Sequence, residues 1–271
     1  MKELALTPQL FAIFSTLIEE ACGLHYGPKD KDILATKIAS HAEDAGYDNL
    51  LDYYYRLRYD DPTGDALKRL VEALVVHETY FFRELPPLRY LAEHFLPSII
   101  AKRGRARVWS AACATGEEPY TIAMLLDRQN LLDKVEILAT DISEAAIRTA
   151  RSGRHGRRSL RDGCPQDLAQ RYLDTTASSI VVAPRIRDAV QFSTMNLFTD
   201  TSRIGTCDVI LCRNVLIYFR DEQIAGLIQR LTKHLAPDGL LAVGVSESLL
   251  RFGTALTCEE REGAFFYRVN R

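Results

Sequence analysis

Two stretches of the chain concentrate side chains capable of chemistry. The first, VWSAACATGEEPY from Val108 to Tyr120, reads as a strand entering a helix, with Ala112, Ala114 and Gly116 as the small residues of the turn. A turn that grips a pyrophosphate carries a full G-x-G-x-x-G pattern, because glycines let the backbone approach phosphates at a helix N-terminus. This turn has one glycine, followed directly by Glu117 and Glu118. Carboxylates in a first turn suit the helix dipole but repel phosphate, so the pattern favours a nucleoside ligand that lacks a diphosphate and carries positive charge. Helix capping accounts for the two glutamates equally well.

Further candidates follow from the strand ends. In an open parallel sheet, ligands bind beyond the carboxyl ends of the strands. VEILATD ends in Asp141, 25 residues after Gly116, near the offset of about 20 at which an acid takes ribose hydroxyls. A carboxylate accepting two such hydroxyls makes a charge-assisted contact worth about 1.5–3 kcal/mol. The alternative for Asp141 is to cap the helix of SEAAIRTARSG, which Ser143 could do instead. Asn196-Leu197 and Asn214-Val215 close two more apolar runs, and either asparagine could serve a ligand, a cap or a turn. S-adenosylmethionine meets these demands, with an adenosine, no phosphate and a sulfonium cation. The second stretch, HETYFFRE, interleaves His77, Thr79 and Arg83 with Tyr80, Phe81 and Phe82. Phe81 and Phe82 read as core, and the three polar residues face another surface; a lone histidine such as His77 is more often structural than ligating.

These residues need elements to hold them. Residues 1 to about 104 read as helices: from Thr7-Pro8 to Gly23, then roughly 29–44, 48–60, 64–78 and 86–102. Beyond Arg105, the runs RVWSAA, VEILATD, VQFSTMN, CDVILCRN and GLLAVGVSE alternate with amphipathic helices, which predicts a parallel sheet. ALTCEER and AFFYRV are separated only by Glu262-Gly263 and form a terminal antiparallel hairpin. A small antiparallel β insertion is expected around 155–190. The boundaries are 1–84 for a helical domain, 85–104 for a linker helix and 105–271 for the α/β domain. A net charge of −2 excludes a general nucleic-acid binder. The six cysteines show no CxxC pairing or histidine ligand spacing, so no metal is expected, and they read as reduced thiols of a cytoplasmic protein. The N-terminus lacks a signal-peptide pattern, and LFAIFSTLI is too short for a membrane span.

Taken in order, HETYFFRE, VWSAACATGEEPYTIAMLL, ATDISEAAIRTARSG, CDVILCRNVLIYF and PDGLLAVGVSESL, after an all-helical start, closely resemble the CheR family of chemotaxis receptor methyltransferases, over roughly residues 8 to 268. The resemblance implies a Rossmann-like class I methyltransferase sheet with a small inserted β-subdomain. It also implies methyl transfer from S-adenosylmethionine to glutamates on cytoplasmic receptor helices. By the family's motif, Thr79 and Arg83 match cofactor residues, as do Glu117, Asp141, Asn196, Leu197, Asn214 and Val215. Tyr218 matches a tyrosine near the transferred methyl. His77 stands where the family has asparagine.

An acidic helical substrate calls for basic surface. The run of Arg148, Arg151, Arg154, Arg157, Arg158 and Arg161 is one candidate, and a solvated face is the plain alternative. Lys29, Lys31 and Lys37 are another. The inserted hairpin around DTTASSIVV is short, so docking of a receptor's C-terminal tether is not expected to be required. Contact with a membrane is expected only through the receptor. The rival readings are a methyltransferase with another acceptor and a sensor or adaptor that binds the cofactor without transfer. A nicotinamide dehydrogenase is disfavoured by the phosphate-binding turn.

Overall fold

The computed structural model describes residues 4–176, 178–253 and 256–270. The chain divides into two compact units: residues up to Val76 with Tyr218–Arg220, and His77–Ile217 with Asp221 onward. No helix among the described residues is long and apolar enough to cross a membrane.

The first unit is helical. Helix α1, Pro8–Cys22, starts where Thr7 Oγ1 accepts the Leu10 N–H, with proline at the first helical position, and stops at left-handed Gly23. Helix α2, Lys31–Asp44, and helix α3, Leu50–Tyr59, follow, the latter capped by Asn49. Helix α4 is Asp65–Leu74. Phe14, Ile18, Leu34, Ile38, Leu70 and Leu74 are fully buried, and buried Tyr53 bonds His41 Nδ1 through its hydroxyl at 2.6 Å. Helix α4 stops four residues short of the expected end at 78. The Tyr26 hydroxyl and the Lys37 ammonium donate to the Leu74 carbonyl at 3.3 and 3.1 Å, taking the acceptor that the next turn would need, and β-branched Val75 turns extended. Lys37 is therefore half-buried at a helix end, not a free basic side chain.

The second unit is built on a seven-stranded sheet in the order β6-β2-β1-β7-β8-β10-β9. The strands are β1, Ala106–Ala111, β2, Val135–Asp141, β6, Val190–Thr194, β7, Cys207–Leu211, β8, Leu235–Ala242, β9, Leu256–Arg261, and β10, Ala264–Val269. The first five are parallel, and β10 runs antiparallel to both β8 and β9. All of β7 is buried, which is why CDVIL reads as a continuous apolar run rather than an alternation. Glu262 and Gly263 both take positive φ, 51° and 76°, as a two-residue hairpin turn matching the strand twist requires.

Helices α5, Leu85–Tyr90, and α6, Leu96–Arg103, are joined by a π-helical turn. Helices α7, Glu117–Arg128, α8, Glu144–Ser152, α9, Gln166–Tyr172, α10, Pro184–Arg187, and α11, Asp221–Thr232, complete the unit. The expected insertion is a three-stranded antiparallel sheet in the order β3-β5-β4, from β3, Arg154–Gly156, β4, Leu173–Asp174, and β5, Ser179–Val182.

At the centre of the main sheet, fully buried Trp109 on β1 donates its indole N–H to Thr140 Oγ1 on β2 at 2.9 Å. Thr140→Val keeps the side-chain shape but orphans that donor. The expected loss is about 1–3 kcal/mol in urea unfolding, with an unchanged far-UV spectrum. A variant as stable as the parent would show that the indole finds another acceptor.

Candidate functional site

Strand order reverses between β1 and its two neighbours, β2 on one side and β7 on the other, which makes the carboxyl end of β1 the topological switch point. The turn there takes left-handed φ three times: 61° at Ala112, 47° at Ala114 and 95° at Gly116. An alanine in that region costs about 1–2 kcal/mol, so something must hold it there. Asp141 does so. Its Oδ2 accepts the Ala114 N–H at 2.8 Å while its Oδ1 accepts the Ser143 N–H at 2.9 Å, and Cys113 N–H bonds the Thr140 carbonyl at 2.9 Å. The capping alternative for Asp141 is overturned, because the α8 cap is Ser143, whose hydroxyl accepts from Ala146. At Gly116 even a methyl group has no room: a Cβ would stand 2.9 Å from that of Ala150 and 3.0 Å from the Phe192 ring.

The adjacent glutamates serve opposite sides. Neither caps α7, whose N-cap is Gly116 without a side-chain bond. Glu117 is 1% exposed; Thr115 Oγ1 donates to its Oε2 at 2.7 Å, and His155 Nδ1 on β3 lies 3.2 Å from its Oε1. Burial pushes the Glu117 carboxyl up, but the hydrogen bond and charge of His155, with the hydroxyls of Thr115 and Ser159, more than offset it and bring it below its ordinary value. Glu118 turns to the sheet, accepting from Ser110 Oγ at 2.7 Å and Arg213 Nη1 at 2.8 Å.

A cavity of about 380 Å³ opens beside Glu117. His77, Thr79 and Glu117, three of the candidates read from the sequence, line it together with Thr115, Arg158 and Arg161. Arg83, Asp141, Asn196, Leu197, Asn214 and Val215 stand outside its lining. The segment carrying His77 and Thr79 is not helical: Phe81 N–H donates to the Ser159 carbonyl and Phe82 N–H to Thr121 Oγ1, at 2.8 and 3.1 Å, and Phe82 and Glu84 take left-handed φ. Both phenylalanines are buried, as the interleaving implies. Arg83 secures the segment by donating to the Glu78 carbonyl at 2.8 Å. Arg161 lies over the Tyr80 ring at 3.8 Å and pairs with Glu78 at 3.0 Å. His77 Nε2 is buried with no hydrogen-bond partner among the described residues. An unpaired buried nitrogen at a polar cavity is a place for a ligand's polar group, so the lining fits a small polar cofactor.

The other strand ends are held by residues that the motifs alone did not single out. Arg213, 6% exposed, donates to Glu84 and Glu118 and to the carbonyls of Arg83 and Glu84. Asn214, at φ 58°, donates its Nδ2 to Glu84 Oε1 at 3.0 Å and its N–H to Glu247 Oε2 at 2.6 Å. Glu247 also accepts from Gly244, Leu216 and Ile217. Burial of Glu247 outweighs those donors and raises its carboxyl, whereas Asn214 and Arg213 overcome the burial of Glu84 and lower it. Asn196 closes a turn by accepting the Phe198 N–H at 2.9 Å. Leu197 is buried, its carbonyl taken by Arg230 at 2.6 Å. Val215 is half-buried, and Tyr218 groups with the helical unit, where its carbonyl accepts the His25 N–H at 2.9 Å. The signal for Glu84, Arg213 and Glu247 was in the sequence, as charges set beside apolar runs that must be buried.

The family described as CheR methyltransferase, SAM binding domain, matches residues 77–263. The chain belongs to the CheR methyltransferase family. It is 32% identical over 248 residues to chemotaxis protein methyltransferase 1 of Pseudomonas aeruginosa, covering 88% of this chain and 90% of that one. It is 30% identical over 280 residues to chemotaxis protein methyltransferase 2 of Vibrio cholerae, covering 100% and 96%. The Borreliella burgdorferi chemotaxis protein methyltransferase is 31% identical over 239 residues, 84% and 83% of the two chains. This CheR-family protein is thus an S-adenosylmethionine-dependent methyltransferase on a class I sheet.

The buried Glu117 yields a pH test. Its depressed folded value means that its ionised form adds stability that is complete above the ordinary value of 4.5 and is lost as pH falls through the lower folded value. Glu117→Gln is expected to cost about 1–3 kcal/mol at neutral pH, with the gap to the parent narrowing as pH falls below the ordinary value of 4.5. Urea unfolding across that fall in pH checks it, and a gap independent of pH would contradict the stated direction.

Proposed function

We propose that this CheR-family protein methylates glutamate side chains on the cytoplasmic helices of chemoreceptors, acting in the cytoplasm and meeting the membrane only through its substrate. The observation that carries the cofactor end of this reading is the Glu117 cavity, where His77, Thr79 and Glu117 converge around an unpaired imidazole nitrogen. His77, Thr79, Arg83 and Glu117 are assigned to the methionine side of S-adenosylmethionine. Asp141 is assigned to the ribose, Asn196 and Leu197 to the adenine side, and Asn214 and Val215 to the methionine end. When bound, the cofactor supplies an electrophilic methyl group on a sulfonium centre.

The chain's own residues have a modest chemical task. The acceptor carboxylate, with an unperturbed value of about 4.3, is ionised at neutral pH, so no general base is needed. The protein has to orient the two groups and exclude water. Arg83 fixes the segment that bears His77 and Thr79, and Tyr218 is proposed, on the family resemblance, to stand near the transferred methyl. Arg158 and Arg161 border the cavity and, with exposed Arg154 and Arg157, make a positive rim that favours an acidic helix. Arg148, which pairs with Glu144, and Arg151, which donates to the Phe192 carbonyl, extend this run. Lys29 and Lys31 form a second candidate surface. The short β4–β5 connection supports binding without a receptor tail.

Incubation with receptor-bearing membranes and methyl-labelled S-adenosylmethionine is expected to give label on the receptor that mild alkali releases, the behaviour of a glutamate ester. Label that survives alkali, or none on any receptor despite cofactor binding, would reject glutamate as the acceptor. Asp141→Asn is expected to weaken S-adenosylhomocysteine binding about 10-fold or more by calorimetry, and unchanged affinity would remove Asp141 from the site.

A further inference from the structure

Glu117 is held from outside its own helix, by a residue of the inserted sheet. We propose that His155 is a positioning residue, fixing the Glu117 carboxylate in the cofactor cavity. This rests on the reading of Glu117 as a cofactor ligand.

The geometry is specific. Each side chain of the pair is 1% exposed, and Nδ1 lies 3.2 Å from Oε1. An ionised carboxylate only accepts, so the imidazole proton of this bond sits on Nδ1. The ring is wedged edge-to-face against Phe81 and Tyr120, with centroids 5.0 and 5.9 Å away, and its Nε2 has no partner among the described residues. Its rotation is thus restricted by packing, and its one hydrogen bond goes to Glu117. A free glutamate side chain loses up to about 2 kcal/mol of rotamer freedom when fixed, and the histidine meets that cost before any ligand arrives.

The backbone of His155 is fixed by the inserted sheet, where it sits opposite Ile180 at the centre of the β3–β5 pairing. Of the other side chains bonded to Glu117, Thr115 belongs to the same turn as the glutamate and moves with it, whereas Ser159 comes, like His155, from the insertion. The position of the carboxylate relative to the cavity wall is therefore referenced to the insertion. The insertion also delivers Ser159, Arg158 and Arg161 to that wall. Cofactor affinity becomes a property of the docked insertion as well as of the main sheet.

Calorimetry with S-adenosylhomocysteine on the full chain tests this, using His155→Phe, His155→Asn, Glu117→Gln and the double variant Glu117→Gln/His155→Phe. His155→Phe keeps ring packing without a donor, and His155→Asn restores an N–H near Nδ1. Expected are an affinity loss of about 10-fold for His155→Phe, recovery to within about 3-fold for His155→Asn, and little further loss when His155→Phe is added to Glu117→Gln. Parent-like binding by Glu117→Gln would overturn the reading of Glu117 and the inference with it. Weak binding by Glu117→Gln with parent-like binding by His155→Phe would overturn the inference alone. Losses that add in the double variant would also overturn it, because His155 would then act independently of Glu117. For a His155→Phe chain that does not fold, His155→Leu and His155→Asn decide together: a loss of about 10-fold in the first with near-parent affinity in the second supports the inference, and equal affinities in the two overturn it.

Discussion

The carboxylate of Asp141 is the contact on which the carboxyl end of the sheet depends. One oxygen holds the Ala114 N–H and the other the Ser143 N–H, so a single side chain ties the turn after β1 to the start of the element after β2. Two alanines in that turn adopt a backbone conformation that an L-residue enters only at a cost. The charge-assisted bond to Ala114 and the bond from Cys113 to the Thr140 carbonyl offset it. A turn held in this way can do with one glycine, and Gly116 occupies the position where the packing of Ala150 and Phe192 excludes a side chain.

From that turn, two neighbouring glutamates leave in different directions because their partners lie in different layers. Glu118 joins Ser110 and Arg213, and Arg213 in turn binds Glu84, which reaches Asn214. This network welds the segment after HETYFF to the ends of β1 and β7. Glu117 faces the insertion and pairs with His155. Buried charges persist only when paired and hydrogen-bonded, and each of these carboxylates is. Glu247 does for the loops after β7 and β8 what Asp141 does for those after β1 and β2. It collects four backbone N–H groups around a Gly244 that has no space for a Cβ.

Much of this is legible in the sequence. The alternation of apolar runs with helices is a local pattern, and it located the strands of the main sheet and the closing hairpin, except that β8 begins at Leu235, ahead of the run GLLAVGVSE, and ends at Ala242 within it. Periodicity overran at α4, because its end is decided by Tyr26 and Lys37, distant in sequence, which donate to the Leu74 carbonyl. His77, Thr79 and Glu117 were legible as candidates because polar side chains interrupt apolar stretches there. The arginine run reads as one candidate basic surface, and the structure gives its members different partners. Arg158 and Arg161 border the cavity, Arg151 serves the Phe192 carbonyl, and Arg148 pairs with its own helix.

What the sequence by itself determined was the fold class, the family and the type of ligand. These follow from periodicity, from the ordered motifs and from the charge of one turn, all properties of neighbouring residues. The tertiary structure alone decided which groups face one another: His155 with Glu117, Arg213 with Glu84 and Glu118, Glu247 with the loop of Asn214. The physical reason is that an unpaired buried charge is too costly to leave in place. Its partner comes from whichever chain segment the fold brings alongside, at separations of 33 to 129 residues here, where no local pattern can register it.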